Sequence, residues 1–297
     1  MKKQQNDKGL AMKYLIVLIL CVLATTKMSI QGAFAKKNIN NIADVLCFNG
    51  LMFLFSAIIF SYDVVGCPWQ VWLYASLGAV FSVVYQISYT KALIIGNVSL
   101  TVLIVNFALI INISVSYLFF GESISGVRLV GILLTVIVFF LSVDKKSGKS
   151  KRVKLWVTLA LVAMLCSAAG SIIQKVLSES SFANYNRAYT SASYFVAAIL
   201  TYLAYITLKS KGERKTFKIG KTAIVFSMLT GVCLALYVML NIYALTVVEG
   251  TFLFPAYSGG FIILSSVAGV ILFKDKLNIK QILGLVIGVI AIVLMNF

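Results

Sequence analysis

The sequence predicts an all-α integral membrane protein of ten transmembrane helices, built as two inverted five-helix repeats. Three observations lead there. Hydrophobic residues make up 61% of the 297 positions, well above the roughly 45–50% of an ordinary soluble domain. They come in blocks close to the roughly 20 residues that an α-helix needs to cross a bilayer core about 30 Å thick. The blocks of the second half can also be laid over those of the first. A β-barrel would need segments of roughly 10 residues alternating apolar with polar, and the sequence has no such pattern.

In chain order, hydropathy predicts spans at Tyr14–Ala35, Ile42–Phe60, Val71–Leu93, Val98–Phe120 and Val127–Val143. A basic linker follows, then spans at Leu155–Leu177, Tyr189–Leu208, Thr222–Leu245, Thr251–Phe273 and Ile279–Met295. The chain thus divides into a first repeat (1–143), a linker (144–154) and a second repeat (155–297). A competing reading takes Lys8 and Lys13, the apolar run Leu15–Ala24 and the small residues Ala33-Phe34-Ala35 as a secretory signal peptide with its cleavage site. Removing that segment would leave nine spans and break the symmetry between the halves.

The overlay rests on particular residues. Tyr85 and Ala92-Leu93 of the third span correspond to Tyr237 and Ala244-Leu245 of the eighth, a shift of 152 positions. Phe119-Phe120-Gly121-Glu122 followed by Gly131 corresponds to Phe273-Lys274-Asp275 followed by Gly284, with Phe120 and Phe273, and Gly131 and Gly284, 153 apart. Lys36 and Lys175 sit near the ends of the two first spans. An odd number of spans per half requires the halves to enter the membrane in opposite senses, the inverted-repeat architecture of many secondary transporters.

On these residues the chain resembles the drug/metabolite transporter superfamily, in its ten-helix EamA-type members, over essentially its whole length. The resemblance implies ten helices, a central cavity between the halves and transport of small metabolites or drugs, without catalytic chemistry. The chain departs from the family pattern in two places: Lys27 stands in a first span where many relatives carry tryptophan, and the fourth span lacks the proline that many have.

Basic residues crowd the linker, with Lys145, Lys146, Lys149, Lys151, Arg152 and Lys154, and the segment Lys209–Lys221. By the positive-inside rule both loops are cytoplasmic. Charge counting therefore places both termini outside, whereas the resemblance implies termini inside. The net charge of +17 is dispersed over membrane-flanking loops, which suits anionic lipid rather than nucleic acid.

Polar residues within the spans are the candidate site. Lys27 lies deep in the first span, where a charge costs about 2.5–3.5 kcal/mol even on a lenient scale. Gln31 is one turn along the same face, and Asn49 of the second span should reach a similar depth. Lys27 either lines a cavity or is neutralised by snorkelling or by a partner such as Asp44. Ser82, Tyr85, Gln86 and Tyr89 form a stripe at i, i+3, i+4 and i+7, and Thr230, Cys233, Tyr237 and Asn241 repeat it. Asn106 completes the set in the fourth span, with Asn112 six residues on pointing elsewhere. In the ninth, Tyr257 adds a ring beside a hinge of Pro255, Gly259 and Gly260. Gly284-x-x-x-Gly288 permits close helix approach, within the chain or in a homodimer.

These residues point to an alternating-access carrier of a small metabolite, an amino acid or organic anion, in a bacterial cytoplasmic membrane. Cationic amines caged by tyrosines, or a non-transporting membrane scaffold, are the alternatives. The five cysteines are dispersed without a C-x-x-C pair and the chain has no His, so no metal, cofactor or catalytic role is expected. All spanning acidic residues lie at helix ends or in loops, which disfavours proton coupling through a deep carboxylate.

Overall fold

The computed structural model describes the backbone over residues 2–120, 125–142, 151–210, 220–247 and 250–295. Of the residues singled out above, Gly121 and Glu122 of the turn and Lys145, Lys146 and Lys149 of the linker lie outside the described residues. Among the described residues, eleven α-helices account for the architecture, because in hydrocarbon every backbone N–H and C=O must find its partner within the segment. They are α1 (Lys2–Asn38), α2 (Ile42–Ile59), α3 (Trp69–Ile95), α4 (Val98–Asn106), α5 (Ala108–Phe120) and α6 (Gly126–Ser142), then α7 (Lys151–Ser178), α8 (Asn186–Ser210), α9 (Lys221–Val247), α10 (Gly250–Phe273) and α11 (Ile279–Met295).

Eight of the described stretches are long and apolar enough to cross a membrane, the α4–α5 pair counting as one. The other two, α6 and α11, have 17 residues each and pack against each other. An expectation of ten full spans therefore depends on those two shorter helices. Outward faces carry residues such as Leu18, Leu77, Ile206 and Val270 in exposed positions, which suits a surface solvated by acyl chains rather than by water.

Helix ends are closed by side chains where sequence supplies them. Asn41 and Asp44 form a capping box at the start of α2, and Asn278 and Gln281 form another at α11. Asn97, the N-cap residue of α4, makes no side-chain cap. Asp275 takes its place from 176 positions away: its Oδ2 accepts hydrogen bonds from Ser99 N at 3.0 Å and Ser99 Oγ at 3.1 Å.

α3 packs on α7 and α8, α9 on α1 and α2, α10 on α1 and α4, and α2 on α8. Glycines set the closest crossings. Gly78 of α3 faces the Tyr189 hydroxyl of α8, and Gly231 of α9 sits against α2, where an added Cβ would stand 2.7 Å from the Met52 carbonyl oxygen. A Cβ on Gly288 would meet Leu103 of α4 at 2.7 Å and Val138 of α6 at 3.4 Å. That glycine of the Gly284/Gly288 pair thus serves packing within the chain.

Candidate functional site

A cavity of about 390 Å³ lies among the mid-portions of the helices, with walls from α1, α2, α3, α4, α5, α7, α8, α9 and α10. Its volume falls in the range of small-molecule sites. Of the residues anticipated from sequence, Lys27, Tyr85, Gln86, Tyr89, Asn106, Tyr237 and Tyr257 line it.

Lys27 is half-buried and its Nζ stands 5.5 Å from the centroid of the Tyr89 ring. It makes no ion pair among the described residues. Asp44 is not its partner in this structure: that carboxylate sits in the capping box at the start of α2, where its Oδ2 accepts from the backbone N–H groups of Asn40 at 2.8 Å and Asn41 at 3.3 Å. The ammonium therefore relies on an aromatic face, an attraction worth about 0.5–2 kcal/mol, and no carboxylate stands among the residues lining the cavity.

The tyrosine rows converge. Tyr85 stacks on Tyr89 with centroids 5.5 Å apart, one helical turn along α3. In the same cavity, Tyr237 of α9 meets Tyr257 of α10 at 5.5 Å, and Tyr257 lies parallel to Phe261 at 5.9 Å. Aromatic groups from both halves of the chain thus line the cavity that Lys27 enters.

Three anticipated residues sit elsewhere. Gln31 and Asn49 are fully buried in a polar link that joins α1, α3 and α2 outside the cavity wall. Gln31 Nε2 donates to Thr90 Oγ1 at 2.8 Å, and that hydroxyl lies 2.7 Å from the Gln86 carbonyl oxygen and 3.3 Å from Asn49 Oδ1. Asn241, one turn beyond Tyr237, is not among the lining residues.

Asn112 does line the cavity, together with Asn106. On a continuous helix, residues six apart point in different directions, but here the helix breaks at Phe107. Short-range bonds from Phe107 N to Ile104 O (3.1 Å) and from Ile110 N to Phe107 O (3.0 Å) mark the turn between α4 and α5. It brings both amides to one wall. Asn106 Nδ2 bonds the Val102 carbonyl at 2.8 Å, while the buried Asn112 Oδ1 has no hydrogen-bond partner.

The proposed hinge lies in a helix that runs unbroken from Gly250 to Phe273. The Pro255 side chain lies outside the described side chains. Gly260 packs against α1, where an added Cβ would be 2.8 Å from Cys21 Sγ, and Gly259 leaves ordinary room beside Val289 at 3.5 Å. Sequence reasoning did not select Phe53, Ser167 and Tyr194, which also line the cavity. A tyrosine set within the Ser/Ala-rich run Ser191–Ala198 was the one available signal, for Tyr194. Among the described residues, no group of three His, Cys, Asp or Glu side chains could hold a metal ion.

Residues 15–143 match the model of the EamA-like transporter family. None of the curated proteins compared with the chain matches it. Among solved structures, one titled "Crystal structure of protein" is similar with a TM-score of 0.60 and 16% identity, over 96% of this chain and 96% of that one. At such identity the likeness shows a shared fold and nothing about what is bound.

Proposed function

Residues 15–143 belong to the EamA-like transporter family, within the drug/metabolite transporter superfamily, and from that premise we propose that the chain carries a small anionic metabolite, an amino acid or organic anion, across a bacterial cytoplasmic membrane by alternating access. Membership makes it an integral membrane protein of the transporter type. The observation that carries the finer reading is Lys27, an ammonium with no carboxylate partner among the residues lining the central cavity. A half-buried charge deep in an apolar helix bundle calls for a counter-charge, and a substrate carboxylate would supply one. Two tyrosine walls would bracket the rest of the substrate.

Rocking of two inverted halves is supported by the packing. Let α1, α2, α3, α4–α5 and α6 correspond to α7, α8, α9, α10 and α11. The contact of α3 with α7 then answers that of α1 with α9, and α3 with α8 answers α2 with α9, while α2 with α8 and α6 with α11 map onto themselves. Gly78 and Gly231, the tight points of two exchanged crossings, are 153 positions apart, the shift found in the turn motifs. Repeats related in this way place a substrate site at their interface near the midplane.

Purified protein in liposomes, offered a panel of radiolabelled carboxylates, amino acids and organic amines, tests the reading. Uptake of at least one carboxylate above that of empty liposomes is expected; uptake confined to the amines would contradict it.

A further inference from the structure

Among the described residues that line the central cavity, Lys27 is the one charged side chain; the other polar groups are serine and tyrosine hydroxyls and the amides of Gln86, Asn106 and Asn112. Lys27 belongs to a stretch long and apolar enough to cross a membrane, Met12–Asn38, 15 residues from its start and 11 from its end. None of the acids whose side chains are described lines the cavity. Asp44 caps α2, Asp63 pairs with Arg187 at 3.2 Å, Asp275 holds Ser99 and Lys36, and Glu179 is exposed just past the end of α7. The empty cavity therefore carries a net charge of +1, which only the face of the Tyr89 ring attends.

That charge bears differently on the two legs of an alternating-access cycle. In a state open to one side, water reaches the ammonium. Passing to the other side requires the cavity to be closed from both, and an ammonium sealed in an apolar bundle loses that solvation. A bound anion of net charge −1 makes the sealed cavity neutral and offsets the loss, whereas an empty cavity has nothing to offset it. An uncompensated charge at the bilayer centre carries a penalty equivalent to roughly 70- to 400-fold in rate. Lys27 is half-buried before closure, so sealing adds only part of that penalty.

Resting on the reading that the chain carries anions by alternating access, we infer that it works as an exchanger, in which one anion of net charge −1 enters for each one that leaves. The loaded carrier reorients readily and the empty carrier slowly. Monocarboxylates and acidic amino acids meet this condition. A neutral amino acid brings an ammonium of its own and leaves the sealed cavity at +1, and no described acid in the cavity wall takes that second cation.

Uptake of radiolabelled lactate, benzoate and glutamate into liposomes of the full-length protein tests this, with the lumen holding buffer alone, the same unlabelled anion, or alanine. Unlabelled anion inside is expected to raise the initial rate at least about tenfold over buffer, the equivalent of about 1.4 kcal/mol, and alanine to raise it less than about twofold. Lys27→Arg keeps the charge and should keep the acceleration, while Lys27→Gln removes the charge and should bring the acceleration below about threefold. Equal wild-type rates with and without internal anion, or equal acceleration by alanine, overturn the inference, and that comparison needs no variant. An acceleration undiminished in Lys27→Gln overturns it as well. Failure to take up any of the three anions under every condition contradicts instead the carboxylate reading on which the inference rests.

Discussion

Asp275 Oδ2 lies 3.0 Å from the backbone nitrogen of Ser99, so the carboxylate at the end of α10 caps α4 in the other half of the chain. The same side chain meets Lys36 of α1 at 4.0 Å, and Lys36 Nζ lies 4.8 Å from the centroid of the Phe273 ring. One acidic residue thereby ties α1, α4 and α10 at one end of the bundle. Asp275→Asn keeps the shape and removes the charge, and hydrogen bonds to charged groups are worth about 1.5–3 kcal/mol. A fall in Tm of several degrees is expected by thermal denaturation in detergent; an unchanged Tm would show that the cap contributes nothing.

Glycine substitutions separate close packing from open space. Gly231→Ala brings a Cβ to 2.7 Å from the Met52 carbonyl oxygen and 3.0 Å from Phe55 Cβ, forcing α2 and α9 apart at a cost of about 1–3 kcal/mol. Gly170→Ala in α7 meets nothing within 4 Å and gains about 0.5–1 kcal/mol of helix propensity. The expected Tm order is Gly170→Ala above wild type and Gly231→Ala below it. A reversed order would contradict the helix crossing described.

The polar link outside the cavity gives a contrast with the cavity itself. Gln31→Leu removes one bond to Thr90, and such contacts average about 0.6 kcal/mol in membrane helices. Substrate KM should therefore stay within about twofold of wild type in liposome uptake. A tenfold rise would place Gln31 in the substrate's path after all.

The ring beneath Lys27 is tested by Tyr89→Phe and Tyr89→Leu. Phe keeps the aromatic face and Leu removes it, so the first should retain uptake with KM within about threefold, while the second raises KM about tenfold. That is the scale of a desolvated cation–π contact, about 1–2 kcal/mol. Equal kinetics in both variants would deny the ring its part in holding the ammonium.

How much of this was legible in the sequence differs from residue to residue. Ser82, Tyr85, Gln86 and Tyr89 share a helix face by simple periodicity, and all four line the cavity, because α3 is unbroken through that stretch. Asn112 escaped the same logic: the turn at Phe107 resets the helical phase, and nothing in Val105-Asn106-Phe107-Ala108 announces it. Depth was readable for Gln31 and Asn49, but their shared partner Thr90 is a cross-helix matter that periodicity does not address. The cap on α4 was hidden for a related reason, since its acceptor arrives from 176 positions away. Gly259 and Gly260 read as a hinge from composition, yet Gly260 is where α1 and α10 approach closely.

The most direct measurement is the initial rate of carboxylate uptake into liposomes by wild type, Lys27→Arg and Lys27→Gln at matched protein density. The account predicts that Lys27→Gln loses at least about tenfold in kcat/KM, the equivalent of about 1.4 kcal/mol, while Lys27→Arg retains a measurable part. Wild-type rates in Lys27→Gln would contradict it, because the substrate would then have no need of the ammonium in the cavity.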